Sequence, residues 1–202
     1  MPELHSTLVS RAAFAGLPVV ATQGEGVVVS DRDGLGLATV LVRKGQHEAL
    51  AQRVREKFGL ELPRGPRRSA SSDVAFIGTA PGAWLATHER AGNAFVQTLA
   101  DATAGLASVS DQSDGYAVLR LSGPRVRDAL CKLVPIDLHP NAFAVGAVAA
   151  TVASYIGTTI WRLDDLAGSS VFEMAVYRSM ADSFWSALSA SAAEFGLKVA
   201  GR

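Results

Sequence analysis

Cysteine occurs once, at Cys131, so the chain can close no internal disulfide and suits a reducing compartment. Net charge is missing as well. The 19 lysines and arginines balance the 19 aspartates and glutamates, leaving no positive field to draw in a polyanion, and nucleic-acid binding is not expected. No apolar run reaches about eighteen residues, and the start of the chain lacks a basic stretch leading into an apolar segment and a small-residue cleavage site. These absences predict a soluble, cytoplasmic protein with no membrane span.

The groups that carry chemistry are equally sparse. His5, His47, His88 and His139 are scattered, without HxH or HExxH spacing and without cysteine neighbours, so no zinc site is expected. Cys131 has no histidine close in sequence and reads as a small half-buried residue on a helix rather than a nucleophile. Gly24-Glu25-Gly26 and Gly34-Leu35-Gly36 do not continue into GxGxxG between a strand and a helix, nor into a Walker lysine motif, and read as turns. Asp31 with Asp33, and Asp164 with Asp165, lack the oxygen spacing of a calcium loop and read as solvated turn acids. Arg64, Arg67 and Arg68 stand among Pro63, Gly65, Pro66 and a run of serines, as in a solvated loop. No catalytic, cofactor-binding or metal-ligating residue is assigned.

What is present is the composition of a compact globular protein: 49% hydrophobic and 19% charged over 202 residues, enough for one fairly large domain or two small ones sharing a core. Aliphatic and β-branched stretches at 25–30 and 37–42 flank Asp33-Gly34 and predict a hairpin. A helix is expected from about 46 to 58, with Leu50, Val54 and Phe58 on one face and Gly59 ending it. A second hairpin, 74–78 with 84–87, leads to a helix around Phe95, Leu99 and Ala102. The order then starts again, with strands at 106–110 and 116–121 around Asp114-Gly115. A helix follows, opening at Ser122 and Pro124, with Val126, Ala129, Leu130, Leu133 and Val134 as its apolar stripe. Strands at 151–156, 158–163 and 171–177, turning at Gly157 and at 167–170, precede a last helix over 180–195 entered through a Ser179/Asp182 capping box.

Laying 29–54 over 109–134 without a gap aligns Val, Ser and Asp at the start, Leu41 with Leu121 and the Ala-Leu of each helix, which suggests an internal duplication. The alternative is that any two units of similar length share a few residues. The expected fold is α+β: two related hairpin-helix-hairpin-helix halves, about 25–104 and 105–200, with helices packed on a mostly antiparallel sheet. Residues 1–24 are read as an N-terminal extension and 25–202 as a single domain.

Several stretches carry a family resemblance. Leu62-Pro63 before the basic loop, Gly78 through Trp84-Leu85, and Leu119-Arg120-Leu121-Ser122-Gly123-Pro124-Arg125-Val126-Arg127-Asp128-Ala129-Leu130 are similar to folate-binding domains of the aminomethyltransferase type. Pro135-Ile136-Asp137-Leu138-His139-Pro140 with Phe143 and Gly146, and Phe172-Glu173-Met174-Ala175-Val176-Tyr177-Arg178-Ser179 before a helix with Trp185, resemble the gamma subunit of heterotetrameric sarcosine oxidase. The resemblance implies a fold like the N-terminal domain of the glycine-cleavage T protein and a non-catalytic place in a complex with alpha, beta and delta subunits. It also implies that FAD, FMN, NAD and tetrahydrofolate lie on those other subunits, in an enzyme that oxidatively demethylates sarcosine to glycine, with hydrogen peroxide and 5,10-methylenetetrahydrofolate as products. The chain is about half the length of active aminomethyltransferases and lacks the Lys-Gly-Cys-Tyr type motif of related iron-sulfur maintenance proteins.

Two other readings stay open. A free-standing folate-binding regulator or transferase of the same superfamily needs a fixed carboxylate for the pterin ring, for which Glu173 and Asp137 are the candidates. A small-molecule-binding α+β domain unrelated to that family is the third.

Overall fold

The structure is a computed structural model that describes residues 11–16, 24–89 and 92–200. His5 lies outside the described residues. Among the described residues eleven strands and four α-helices follow one another as β1 (Val27–Asp31), β2 (Gly36–Val42), α1 (His47–Phe58), β3 (Arg68–Ala70), β4 (Val74–Ala80), β5 (Ala83–His88), α2 (Gly92–Ala102), β6 (Ala107–Asp111), β7 (Tyr116–Ser122), α3 (Val126–Cys131), β8 (Val148–Ala153), β9 (Ile156–Leu166), β10 (Ser169–Tyr177), α4 (Ala181–Ala192) and β11 (Leu197–Val199).

They form two sheets. The first runs β11-β1-β7-β10-β9-β8 and the second β3-β4-β5-β2-β6, and every pairing is antiparallel except β1 with β11. The sheets stack on one another. Alternation along each strand sends one set of side chains inward, where Leu37, Ile77 and Leu85 of the second sheet, with Leu35 just before β2, meet Val118, Val148, Trp161 and Ala175 of the first. The other set meets helices: Leu50, Val54, Phe95 and Leu99 of α1 and α2 cover the second sheet, and Val126, Leu130, Phe184 and Leu188 of α3 and α4 cover the first. The result is a helix, sheet, sheet, helix stack of the α+β class.

Two of the expected hairpins do not form. β1 pairs with β7, Val29 opposite Leu121, while β2 pairs with β6, Val40 opposite Val109, so each strand takes a partner from the other half of the chain. The Asp33-Gly34 signal is real, with Gly34 at φ 84°, but Arg32 N–H bonds the Val118 carbonyl at 3.0 Å and Leu35 then turns into the space between the sheets. The turn is a crossing point between sheets, and β6 to β7 around Asp114-Gly115 crosses back. A tight turn reverses the chain without deciding which neighbour each strand hydrogen-bonds. By contrast β4 with β5, and β9 with β10, pair as expected.

Smaller expectations shift for local reasons. Ser122 closes β7 opposite Val28 and caps nothing, and Gly123 at φ 111° bends the chain so that α3 starts at Val126. Leu133 and Val134 follow that short helix yet remain buried. The Ser179/Asp182 box is absent because Arg178–Met180 is a 3₁₀ turn, and α4 begins after Met180 without a side-chain cap. The β8–β9 turn sits at Ser154 and Tyr155, both at positive φ, which places Gly157 inside β9. Arg68 belongs to β3 rather than to a solvated loop, and Cys131, the last residue of α3, is exposed rather than half-buried because the apolar stripe of that helix faces the other way. Phe14, in the stretch read as an extension, is 2% exposed and lies 6.3 Å from Trp185.

Candidate functional site

Glu173 is the one acidic side chain among the described residues that is buried in the fold, at 5% exposure. Along β10 the alternation places Phe172, Met174 and Val176 against the helices, and Glu173 and Ala175 between the sheets. The ladder sets Arg120 of β7 directly opposite Glu173 on one side and Trp161 of β9 opposite it on the other. Glu173 Oε1 accepts from Arg120 Nε at 2.9 Å and from Arg32 Nε at 2.8 Å, and Oε2 accepts from Trp161 Nε1 at 2.9 Å. Arg32 comes from the β1–β2 crossing and also pairs through Nη2 with Glu89, which follows β5 in the second sheet.

These contacts join the two sheets at the crossing point. A carboxylate brought out of water is tolerated when paired cations and a donor surround it, as here. Arg68 stands at the rim of the group. Burial pushes its guanidinium pKa down from the usual arginine value, with Glu173 opposing that shift and Arg120 adding to it. Its Nε has no hydrogen-bond partner among the described residues.

Glu173 is thus held by three donors from this chain, two on one oxygen and one on the other, and it stabilises the junction of two sheets rather than presenting a free edge to a pterin. Asp137, the other nominated acid, is exposed, and its Oδ1 accepts from the His139 backbone N–H at 2.8 Å, an ordinary turn contact. The structure does not bring the two acids into one network. Sequence reading missed Arg32, Arg120 and Trp161. The available signal was a charge inside each of two apolar strands, VFEMAVY and YAVLRLS, at positions that alternation puts on an inner face.

The remaining candidates resolve singly. His47 lies 5.9 Å from Trp84 and His88 lies 5.2 Å from Phe95, ring to ring, while His139 is exposed. No group of three or more His, Cys, Asp or Glu able to hold a metal occurs among the described residues. Arg162 takes up Asp165 at 2.8 Å. Neither glycine pair fits a dinucleotide phosphate: a Cβ on Gly26 would lie 2.1 Å from the Phe195 carbonyl, so the room at that glycine is filled by the chain's own backbone, and Gly34 and Gly36 lead into a strand instead of a helix N-terminus. No helix among the described residues is long and apolar enough to cross a membrane.

At the far end of the inner face of the first sheet, Tyr116 and Tyr177 are opposite one another in the ladder and stack at 5.0 Å. They border a shallow cleft of about 460 Å³. Burial, with a hydrogen bond to Tyr177, pushes the Tyr116 pKa up to about 12.

Comparison with known proteins gives these features a family. The chain is 32% identical over 118 residues to the gamma subunit of sarcosine oxidase from an Arthrobacter species, a match that spans 57% of this chain and 56% of that one. With the gamma subunit from Corynebacterium sp. (strain P-1) it shares 30% identity over 166 residues, 79% of this chain and 80% of that one. Among solved structures, a chain of heterotetrameric sarcosine oxidase from Corynebacterium sp. U-96 has the same fold at a TM-score of 0.78 and 24% identity, covering 92% of this chain and 96% of that one. The glycine cleavage system aminomethyltransferase T from Bartonella henselae shares the fold at a TM-score of 0.62 and 16% identity, with 86% of this chain matching 47% of that one. The model of the sarcosine oxidase gamma subunit family matches residues 44–194, three quarters of the chain, and the protein belongs to that family.

Proposed function

We propose that this chain is the non-catalytic, structural gamma subunit of a heterotetrameric sarcosine oxidase. The complex would oxidatively demethylate sarcosine to glycine, an oxidoreductase reaction on a CH–NH donor with oxygen as acceptor, and yield hydrogen peroxide and 5,10-methylenetetrahydrofolate. The alpha, beta and delta subunits would be its partners, the FAD, FMN, NAD and tetrahydrofolate would be theirs, and the complex would work in the cytoplasm. The observation that carries this reading is the family match over residues 44–194. The burial of Glu173 among Arg32, Arg120 and Trp161 supports a scaffold role over the alternative of a free-standing folate-binding protein, because the acid a pterin would need is already engaged.

Residues 25–202 are proposed to be one T-protein-like domain whose halves, about 25–104 and 105–200, descend from a duplicated unit. β1 and β6 have five residues each and β2 and β7 seven each, and each pair lies 80 residues apart. The sheet orders β3-β4-β5-β2-β6 and β8-β9-β10-β7-β1 correspond strand for strand once the first strand of each half is exchanged.

Expression alone and with the flavin-bearing subunits tests the assignment. Alone, the chain should be colourless and inactive on sarcosine; together, it should purify in fixed ratio with the flavin-bearing chains. A lone chain that binds flavin or folate tightly would contradict it.

A further inference from the structure

Four strands end the two sheets among the described residues, and three of them carry a charge: Arg68 in β3, Asp111 in β6 and Lys198 in β11. The fourth, β8, reads VAATVA, with neither charge nor proline. Charges and prolines on an edge strand discourage a foreign strand from pairing, and β8 has no such protection.

The hydrogen-bond pattern defines where it is open. Ala153 and Ile156 close the two-residue turn at Ser154 and Tyr155, so the odd-numbered residues of β8 bond to β9 and the even-numbered ones direct N–H and C=O to the free edge. Val148 N–H, at the start of that edge, bonds the Pro66 carbonyl at 3.0 Å, and Ser154 N–H, at its end, bonds the Leu133 carbonyl at 3.0 Å. Between them the N–H groups of Ala150 and Val152 meet no backbone carbonyl among the described residues, and both residues are exposed. The window from Val148 to Ser154 is about 20 Å long at strand spacing, room for roughly five extended residues.

Its surroundings specify the occupant. The cleft of about 460 Å³ beside β8, bordered by Tyr116, Tyr177, Thr159 and Val152, has no charged side chain in its lining. Val152, Tyr155 and Tyr177 expose 41%, 99% and 55% of their surface. Tyr155 also holds φ 70°, a conformation that bulky residues rarely adopt. A charged segment laid here would lose water without gaining a partner. A second copy of β8 does not fit: Pro66 and Leu133 stand at the two ends of the window, in the line of the incoming strand, and a second copy would bring its own pair against them.

We propose that an extended, uncharged segment of a partner subunit pairs with β8 at Ala150 and Val152, adding a strand to the first sheet and setting alternate side chains over the Tyr116–Tyr177 cleft. The inference rests on the subunit reading above.

The test uses Val152→Pro and Val152→Lys in the full chain, co-expressed with the flavin-bearing subunits. Proline at Val152 removes a bare N–H without breaking a bond to β9, and lysine puts a charge into the window. Both variants should keep the melting temperature of the isolated chain and weaken its association with the other subunits about tenfold or more. In the wild-type complex the Ala150 and Val152 amides should exchange with solvent slowly, and in the isolated chain quickly. Undiminished assembly of both variants, or equal exchange in the two states, overturns the inference alone. Slow exchange in an isolated dimer would assign the edge to a second copy and overturn it too. Failure of the wild-type chain to join the flavin-bearing subunits would remove the subunit reading, and this inference with it.

Discussion

Arg32 and Glu173, 141 residues apart in the chain, meet with Nε 2.8 Å from Oε1 at the point where β1 leaves one sheet for β2 in the other. Arg120 and Trp161 hold the same carboxylate from the strands on either side of it. The polar contacts at this junction therefore converge on one acid.

Glu173→Gln keeps the shape and removes the charge, leaving Arg32 and Arg120 beside a neutral amide. Breaking a buried pair by removing one partner costs on the order of 3 to 5 kcal/mol. Arg120 retains 37% exposure of its side chain, so water takes over part of that role and a loss of about 2 to 3 kcal/mol is expected. Urea unfolding of the isolated variant measures it, and a change within about 0.5 kcal/mol, the range of ordinary surface substitutions, would show that the cluster is dispensable.

Gly26→Ala should be destabilising, because Gly26 is buried with the chain's own backbone against it. The new Cβ would lie 2.1 Å from the Phe195 carbonyl, which itself accepts the Gly26 N–H at 3.1 Å, so the contact that registers β1 beside the end of the chain must open. Forced overpacking costs about 1 to 3 kcal/mol. Thermal unfolding compared with Gly65→Ala separates this from simple loss of glycine, since Gly65 has nothing within 4 Å of its Cβ position and does not hold a positive φ.

Leu130 and Cys131 are neighbours in α3 with opposite fates. Leu130 is fully buried against the first sheet, and Leu130→Ala should cost about 2 to 5 kcal/mol. Cys131 is exposed, and Cys131→Ser should leave stability within about 0.5 kcal/mol and turnover of the assembled enzyme unchanged. Equilibrium unfolding checks the first and steady-state sarcosine oxidation the second; a large loss of turnover in an intact complex would assign the thiol a role.

Tyr116 gives stability a specific alkaline limb. Its pKa stands at about 12 in the folded chain against 10.0 for the free phenol, so the unfolded chain loses this proton first. The contribution is complete below pH 10.0 and declines as pH rises towards about 12. Denaturant unfolding at pH 9 to 11.5 should show a smaller decline for Tyr116→Phe than for the wild type. Equal slopes would place the phenol in water.

Much of the fold was legible because it is local. Hydrophobic periodicity located α1 through Leu50 and Val54, and the paired apolar stretches at 74–78 and 84–87 located β4 and β5. The misreadings concern choices that local sequence does not make. Asp33-Gly34 marks a reversal whether its flanking strands pair with each other or with β7 and β6, and the preference for the second arises from strands far along the chain, Leu119 opposite Asp31 and Ala107 opposite Val42. Two stacked sheets were read as one because a strand buried on both faces, such as β10, looks in sequence like a strand with one irregular face. The Glu173 cluster was half legible: the acid stood out inside an apolar strand, but its partners are set by register, which only the fold defines.

Native mass spectrometry of the intact assembly, after co-expression with the flavin-bearing subunits, tests the subunit assignment at its root. One species containing this chain in a fixed ratio with those subunits is expected, with loss of yield or stability of that species when the chain is left out. A fully active, equally stable assembly that forms without the chain would contradict it.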